Sequence, residues 1–257
     1  MENAVICGYG MVGKATAHTF GIKDYFDLKE SNITLKEIAQ RKRYVFISIP
    51  TPTDKMEQKG IEEIEALIKQ ILELGGGQKV FIIRSTVLPG TCKRLIENCG
   101  THAIIHNPEF LTEATWKEDS EHPDMIVLGG EQANYLEDVE AVYKARFRGS
   151  VDIFKTDTLT SEMIKYSINC FYAMKVVYAN LIYDYCQKIG ANYETIKDAM
   201  YKRKWIGNNH LRIFDSNGNR GAGGKCLAKD LDAFANRTQI ELLKFVNSYN
   251  KQYTHSS

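Results

Sequence analysis

The chain has 257 residues, of which 44% are hydrophobic and 25% are charged, and its formal net charge is +1. This length suits one large domain or two modest ones. The near-neutral charge argues against nucleic acid or an anionic membrane surface as a bulk partner. No apolar run approaches about 18 residues and polar residues interrupt the first apolar segment early, so we expect neither a membrane span nor a signal peptide.

In chain order, the first half alternates short apolar segments with helical patterns. The apolar segments are mostly continuous, as in strands that are buried on both faces. The clearest helical pattern covers 61–74 and ends at three consecutive glycines. This alternation predicts an α/β fold with a doubly wound parallel sheet. Its strands are predicted over 4–7, 25–28, 44–49, 80–83, 103–105 and 125–128.

The second half reads as helical from about residue 157. Residues 159–189 contain no Gly or Pro, and Gly190 closes the run. We therefore predict one long helix of about 45 Å, with Thr160 as its N-cap and Glu162 in its first turn. Shorter helices are predicted over 193–201 and 228–236, and the polar tail over 252–257 is expected to fray.

Six cysteines stand at positions 7, 92, 99, 170, 186 and 226, and none of them forms a C-x-x-C pair. This spacing argues against a zinc site, and we expect no bound metal. In a chain without an export signal, the cysteines are expected to be reduced thiols and the cytoplasm is the expected compartment.

A G-x-G-x-x-G spacing directly follows the first predicted strand. In dinucleotide-binding folds the first glycine permits the tight turn, the second lets the backbone approach the pyrophosphate, and the third lets helix and strand pack closely. A glycine-rich turn without a ligand is the alternative. We favour the fingerprint, which predicts a Rossmann-type sheet and cofactor contacts at Gly8, Tyr9, Gly10, Met11, Val12 and Gly13.

An acid is expected about 20 residues further on, at the end of the second strand, where it would bind the ribose hydroxyls. Asp27 is the preferred candidate and Asp24 competes with it. Such an acid favours NAD, while Lys29 nearby leaves NADP open. A solvated loop carboxylate is the alternative for either position.

Three further segments, 48–53, 84–91 and 107–113, follow predicted strands and carry polar side chains. Ligands of open parallel sheets bind beyond the carboxyl ends of the strands, so we expect these segments to line one crevice. Ordinary turn chemistry is the alternative for each segment alone. The candidates for cofactor contact are Pro50, Thr51, Ser85 and Thr86.

Two groups in the helical half can carry chemistry. Lys165 and Asn169 are four residues apart and share a helix face, although a solvated face is the more ordinary interpretation. Cys226 follows the glycines at 221, 223 and 224, with a lysine and then Asp230 three and four residues later. The glycines permit close backbone approach, and the adjacent positive charge and helix start favour a nucleophilic thiolate.

Six motifs of the chain, taken together, resemble the UDP-glucose/GDP-mannose 6-dehydrogenase family. In chain order they are GYGMVG, IPTPT, RSTVLPGT, NPEFLTE, the pair Lys165 and Asn169, and GAGGKCLAKD. No single motif is specific to this family, but their ordered set over residues 4–230 is. The resemblance implies a Rossmann-like NAD-binding domain over 1–156, followed by an α-helical central and dimerisation domain over 157–257. It also implies NAD-dependent, four-electron oxidation of a UDP-glucose-like sugar to the uronic acid, as in polysaccharide biosynthesis.

The resemblance further implies roles for single residues. Cys226 would form a thiohemiacetal and then a thioester, and Lys165 would stabilise the oxyanion, which Asn169 would help to hold. The implied substrate contacts are Phe110, Leu111, Lys165, Asn169, Arg220, Gly221, Gly223 and Gly224.

The proton-transfer and hydrolysis roles implied by the resemblance fall on four residues. Asp230 and Thr86 would position the water used in acid–base steps. Glu109, or as a second choice Glu113, would assist hydrolysis of the thioester.

The chain departs from the family pattern in two places. Only 27 residues follow Asp230, so we expect a short form that lacks the C-terminal UDP-binding domain. Trp205 stands where the family commonly has an arginine, and Arg212 or Arg220 is the candidate replacement. The long helix also predicts a homodimer through residues 160–190.

Two other functions remain open. One is a two-electron dehydrogenase of the hydroxyacid type, which would use Lys165 and Asn169 and for which Cys226 would be dispensable. The other is a truncated paralogue that binds NAD or a nucleotide sugar without turnover. Retention of Lys165, Asn169, Cys226 and Asp230 together favours an active enzyme over the second.

Overall fold

A computed structural model of the chain describes residues 1–51, 55–207, 209–223 and 226–254. The chain divides into two compact units, Met1–Lys165 and Tyr166–Ser257. This division falls within the long helix. The boundary near residue 156 between two independently folding domains stays a prediction.

The first unit is built on one sheet, in which seven strands of the described chain are arranged in the order β2-β1-β3-β4-β5-β6-β7. Nearly every strand residue except those of β2 and β7 is buried, because apolar side chains pack on both faces of the sheet. This confirms the doubly wound α/β architecture. The strands are β1 (Ala4–Cys7), β2 (Tyr25–Phe26), β3 (Tyr44–Ile47), β4 (Val80–Ile83), β5 (Ile104–His106), β6 (Met125–Gly129) and β7 (Asp152–Thr156).

Helices cover both faces of this sheet. One buried cluster includes Ile64, Ile68 and Leu95, and the cluster on the other face includes Val139 and Tyr143. The helices of this unit are α1 (Met11–Phe20), α2 (Leu35–Arg41), α3 (Lys55–Glu73), α4 (Thr91–Cys99), α5 (Trp116–Glu121) and α6 (Ala133–Phe147).

Two features of the sheet differ from the sequence prediction. Strands β5 and β6 pair antiparallel, with His106 opposite Gly129. The chain between them forms the six-residue α5 rather than a long crossover helix, so β6 enters from the opposite end of the sheet. Strand β7 is absent from the prediction because its residues are mostly exposed and its charged side chains obscure the apolar pattern.

The strand order reverses at β1, which pairs in parallel with β2 on one side and with β3 on the other. A reversal of this kind opens a crevice beyond the carboxyl ends of the two central strands. The glycine turn after β1 and the polar segment after β3 both start at this edge.

A single long helix, α7 (Thr158–Ile189), begins in the first unit and continues into the second. Its 32 residues span about 48 Å. The prediction of Thr160 as N-cap is wrong, because Asp157 Oδ1 accepts the Thr160 N–H at 2.8 Å. Despite this length, no helix in the described ranges is apolar over enough residues to cross a membrane.

The first two turns of α7 are anchored by a buried carboxylate. Glu162 is fully buried, and it accepts the backbone N–H groups of Gly90 and Cys92 at 2.5 and 2.7 Å. These are free donors at the start of α4, so Glu162 caps that helix from outside. Burial raises the pKa of Glu162, and the two backbone hydrogen bonds oppose this shift.

The second unit is helical. Besides α7 it contains α8 (Tyr193–Lys202), α9 (Leu227–Thr238) and α10 (Glu241–Thr254). Tyr166 of α7 is fully buried and stacks on Phe234 of α9, with 5.1 Å between ring centroids. Helix α10 is absent from the prediction. It runs through residues 252–254, which were expected to fray.

Candidate active site

The turn between β1 and α1 has a geometry that excludes side chains at two positions. Gly8 has a φ of +90°, and a Cβ there would lie 2.6 Å from the carbonyl oxygen of Ser48. A Cβ on Gly13 would lie 2.1 Å from the Gly8 oxygen. The two glycines therefore let the strand, the helix and the neighbouring strand end approach as the dinucleotide fingerprint requires.

Gly10 has a different environment, because no heavy atom lies within 4 Å of the position that its Cβ would take. It is the N-cap of α1, whose first turn contains no acidic side chain. The N–H groups at this helix start can therefore receive an anion, helped by the positive end of the helix dipole. Met11 and Val12 follow it and are half-buried. This cradle fits a pyrophosphate group.

Asp27 lies directly against the glycine turn, because its Oδ2 accepts the Tyr9 N–H at 2.6 Å. The competing carboxylate, Asp24, instead pairs with the buried ammonium of Lys42. Lys29 approaches Asp27 through its backbone N–H, 3.2 Å from Oδ1. This arrangement favours Asp27 as the acid that would bind a ribose.

The strand ends after β3 and β4 are joined through predicted cofactor contacts. Ser85 Oγ donates to the Ile49 carbonyl at 2.7 Å, and the Thr51 hydroxyl donates to the Thr86 carbonyl. Pro50 lies between the two linked positions of its loop. The last two residues of the IPTPT motif fall outside the described residues.

Lys165 is 3% exposed, and its ammonium contacts the turn that follows β5. Its Nζ donates to the Glu109 carbonyl at 2.5 Å and lies 3.3 Å from Glu109 Oε1. The same Nζ lies 5.0 Å from the centre of the Phe110 ring. Burying an ion pair carries a desolvation penalty that offsets the attraction between its charges, so the main effect of this pair is to fix the position of its groups. It holds a cation in one place, where it can stabilise a developing oxyanion.

Of the two candidate glutamates, it is Glu109 that contacts Lys165. Its other carboxylate oxygen, Oε2, accepts the Leu111 N–H at 2.7 Å, which fixes the side chain from both sides. Glu113, four residues later, is exposed.

A polar cluster that the sequence analysis missed holds the start of this turn. Arg84 Nη1 donates to the Asn107 carbonyl at 3.3 Å and to the Tyr143 hydroxyl at 3.2 Å. Asn107 Nδ2 donates to the Val127 carbonyl at 2.8 Å. Asn107 thereby joins the end of β5 to the end of β4, to β6 and to α6. Arg84 and Asn107 stand in quoted motifs, whereas nothing near Tyr143 in the sequence points to this contact.

His106 is a second residue that the sequence analysis missed, and it is fully buried at the end of β5. Its Nδ1 and the Ser161 Oγ share a hydrogen bond of 2.8 Å. Burial lowers the pKa of His106 to about 3, and the nearby charges of Lys165 and Arg84 act in the same direction. The imidazole is therefore neutral at physiological pH. A histidine that ends an apolar strand was the available signal.

In the second unit, Asn169 contacts Asp230. Asn169 Nδ2 donates to Asp230 Oδ2 at 2.6 Å, and Lys229 Nζ donates to Asp230 Oδ1 at 2.5 Å. Asp230 is 1% exposed and Asn169 is 5% exposed. A buried carboxylate with a charged donor and an amide donor is fixed in orientation. Asn169 therefore does not lie on a solvated helix face.

Cys226 is the N-cap of α9 and is half-buried. Its carbonyl accepts the Asp230 N–H at 2.8 Å, which is the first hydrogen bond of the helix. Gly221 has a φ of +83° and Gly223 is exposed, while Gly224 lies outside the described residues. Among the described residues, no three His, Cys, Asp or Glu side chains are grouped to hold a metal ion.

Arg220, a predicted substrate contact, makes several contacts within its own unit. Its Nε donates to Asn180 Oδ1 at 2.9 Å and its Nη2 to Asp184 Oδ1 at 2.6 Å. The guanidinium also lies 5.2 and 4.6 Å from the ring centres of Tyr183 and Tyr253. These contacts anchor the start of the glycine loop. A substrate contact by Arg220 stays a prediction.

Comparison with known proteins gives two family matches. Residues 27–147 match the NAD-binding domain of the UDP-glucose/GDP-mannose dehydrogenase family, and residues 159–252 match the central domain of the same family. The first match identifies NAD as the cofactor, in agreement with the glycine turn and Asp27.

Individual relatives agree with these matches. A UDP-glucose 6-dehydrogenase of Rickettsia felis is 31% identical over 234 residues, which cover 88% of this chain and 51% of that protein. The chain thus spans about half the length of the curated relatives it matches.

Solved structures share the fold. A UDP-glucose dehydrogenase from the archaeon Pyrobaculum islandicum superposes with a TM-score of 0.79 at 22% identity, over 97% of this chain and 68% of that one. A 3-hydroxyisobutyrate dehydrogenase of Mycobacterium tuberculosis gives a TM-score of 0.74 at 13% identity, over 99% of this chain and 96% of that one.

The glycine turn generates a prediction with an internal control. Gly13→Ala places a Cβ against the Gly8 carbonyl, so we expect a loss of about 1–3 kcal/mol and a lower melting temperature. Gly10→Ala meets no neighbouring atom, so it should melt like the wild type but bind NAD+ more weakly, because its methyl group blocks backbone approach to the pyrophosphate. Differential scanning fluorimetry and calorimetric titration with NAD+ measure both effects. Equal melting temperatures for the two variants would contradict the close packing.

His106 generates a prediction about acid stability. Because folding lowers its pKa from 6.5 to about 3, the unfolded chain binds a proton between these values and the native chain does not. This titration by itself should therefore lower the stability of the wild type as the pH drops below about 6.5, by about 2 kcal/mol at pH 5. His106→Gln lacks this titration, so denaturant unfolding should show a smaller loss between pH 7 and pH 5 in the variant. The same loss in both proteins would show that the histidine does not titrate in this way.

Proposed function

Because the chain belongs to the UDP-glucose/GDP-mannose dehydrogenase family, we propose that it oxidises the C6 alcohol of a nucleotide sugar such as UDP-glucose to the uronic acid. The observation that carries this proposal is the buried ammonium of Lys165, held by Glu109 at the edge of the sheet that bears the dinucleotide turn. A fixed cation can stabilise the alkoxide that forms when an alcohol is oxidised.

The glycine turn and Asp27 would hold NAD, with contributions from Pro50, Thr51 and Ser85. When bound, NAD+ supplies the hydride acceptor, one molecule for each of two oxidations. In the first, Lys165 would stabilise the alkoxide that forms as the alcohol loses its proton. Asn169 would help to hold the same oxygen.

The second oxidation would depend on Cys226. Its thiolate adds to the carbonyl carbon of the aldehyde, which forms a C–S bond and a thiohemiacetal oxyanion. Oxidation of this carbon leaves a thioester. Water then adds, the C–S bond breaks, and the thiolate leaves as the carboxylate forms. One alcohol, two NAD+ and one water thus give one carboxylate, two NADH and three protons.

The remaining residues would serve water and substrate. Asp230, fixed by Asn169 and Lys229, and Thr86 would orient the water that moves protons. Glu109 would assist thioester hydrolysis, and we retain Glu113 as the second choice. The proposed substrate contacts are Phe110, Leu111, Arg220, Gly221, Gly223 and Gly224.

We also propose a homodimer through α7 and a cytoplasmic location. Phe171, Tyr178, Tyr185 and Ile189 of α7 are between 53% and 60% exposed. The first three recur every seven residues, which is the spacing of a helix seam that packs against an identical helix. None of the six cysteines, all within the described ranges, is in a disulfide, as expected for a reducing compartment.

The proposed reaction is tested by NADH release over a panel of UDP-, GDP- and amino-sugar nucleotides. We expect two NADH per sugar from the wild type and a rate at least about 100-fold lower from Cys226→Ala, because the second oxidation has no nucleophile. Cys99→Ala is the control, since Cys99 is also half-buried but lies at the end of α4. Mass spectrometry of Cys226→Ser should detect a trapped covalent intermediate.

Other outcomes of this screen identify the alternatives. One NADH per alcohol and an unchanged rate in Cys226→Ala would indicate a two-electron dehydrogenase. The chain shares its fold with the mycobacterial 3-hydroxyisobutyrate dehydrogenase over nearly the whole length of that structure. NAD+ binding without NADH formation from any sugar would indicate a non-catalytic binding protein.

The dimer is tested by multi-angle light scattering. We expect a dimer for the wild type and a monomer for the double variant Phe171→Glu, Tyr178→Glu, because the added charges would be buried at the seam. Phe245→Glu on α10 is the control, since Phe245 is 53% exposed and lies outside α7. A wild-type monomer at high concentration would rule out the proposed dimer.

A further inference from the structure

A side chain of α10 forms hydrogen bonds with the glycine loop that leads to Cys226. Asn250 of α10 is 2% exposed. Its Oδ1 accepts the Ala222 N–H at 2.7 Å, and its Nδ2 donates to the Ala222 carbonyl at 3.0 Å. One side chain thus satisfies both backbone polar groups of a buried loop residue, as a neighbouring strand would.

Glycine at the residue before this contact, Gly221, lets α10 come this close. A Cβ on Gly221 would lie 3.0 Å from Asn250 Oδ1 and 3.1 Å from the Cβ of Tyr253. Its φ of +83° also disfavours any other residue. Gly221, which the sequence analysis assigned to substrate binding, therefore also allows α10 to pack closely against the loop.

A second contact from α10 holds the preceding residue. The Tyr253 ring lies 4.6 Å from the Arg220 guanidinium, and its hydroxyl donates to Asp184 Oδ2 at 3.0 Å. Arg220 in turn donates to Asp184 at 2.6 Å. Arg220 and Ala222, on either side of Gly221, are thus held by side chains of α7 and α10.

We propose that Asn250 is a positioning residue for Cys226. Cys226 is four residues after Ala222, so the chain between them reaches about 14 Å at most. On its other side Cys226 is fixed by the first hydrogen bond of α9, from Asp230 N–H to its carbonyl at 2.8 Å. The loop is thus held at Ala222, and the Cys226 backbone is held at the start of α9. A nucleophile gains most from such restriction because its attack requires one orientation.

This inference rests on the proposed function only in giving the Cys226 thiol a catalytic role. The hydrogen bonds lie between residues 28 apart in the sequence, and both fall in the same compact unit. The amide group of Asn250 is needed at this position because an apolar side chain would leave the Ala222 N–H and C=O buried without partners.

Alkylation of Cys226 by iodoacetamide, followed by mass spectrometry of its peptide, tests the inference. Asn250→Ala should raise the Cys226 alkylation rate by about threefold or more, because the released loop exposes the thiol. Asn247→Ala is the matched control. Asn247 is one turn earlier on α10 and also buried, but its amide donates to Asp232 Oδ1 at 2.8 Å rather than to the loop. Its variant should react at the wild-type rate.

Asn250→Asp provides the graded variant, and it carries the test if Asn250→Ala does not fold. The carboxylate can still accept the Ala222 N–H but has no donor for the carbonyl, so an intermediate alkylation rate is expected. A merely structural role would lower the melting temperature in both the Asn250 and the Asn247 variants and leave the Cys226 rate unchanged, and that result would overturn the inference. Alkylation needs no substrate or cofactor, so the outcome is independent of the NADH screen.

Discussion

The interaction on which the first unit depends is the set of buried polar contacts made by the first two turns of α7. Glu162 binds the free N–H groups at the start of α4, and Lys165 binds the carbonyl and carboxylate of Glu109. A buried polar group without a partner costs roughly 1–3 kcal/mol. Because each of these side chains has one place where it is satisfied, the helix can take only one register against the strand ends.

The same helix also organises the second unit. Asn169 follows Lys165 by four residues, and its amide binds the buried carboxylate of Asp230. Lys165 is thus fixed by the turn after β5, and Asn169 by the helix that follows the cysteine. Each of the two contacts fixes the part of α7 that lies in its own unit.

The second unit adds a constraint from the end of the chain. Asn250 and Tyr253 are beyond the last recognisable motif, yet they hold the loop that precedes Cys226. Glycine loops allow close approach to a ligand, but the same freedom makes them mobile unless other elements restrain them. Here α10 restrains Arg220 and Ala222, so a helix without a motif of its own would help to position the proposed nucleophile.

The amino-acid sequence alone was sufficient for features that depend on neighbouring residues. The buried strands, the glycine turn and the long helix follow from short apolar runs, fixed spacings and the absence of Gly and Pro over 159–189. Only the tertiary structure decided which polar groups meet. It brought Asp27 rather than Asp24 to the turn, and Glu109 rather than Glu113 to Lys165.

The contacts of His106, Tyr143 and Asn250, and the antiparallel entry of β6, likewise depended on the fold. These pairs join residues that are tens of positions apart, and a local pattern holds no information about a partner that only folding brings near.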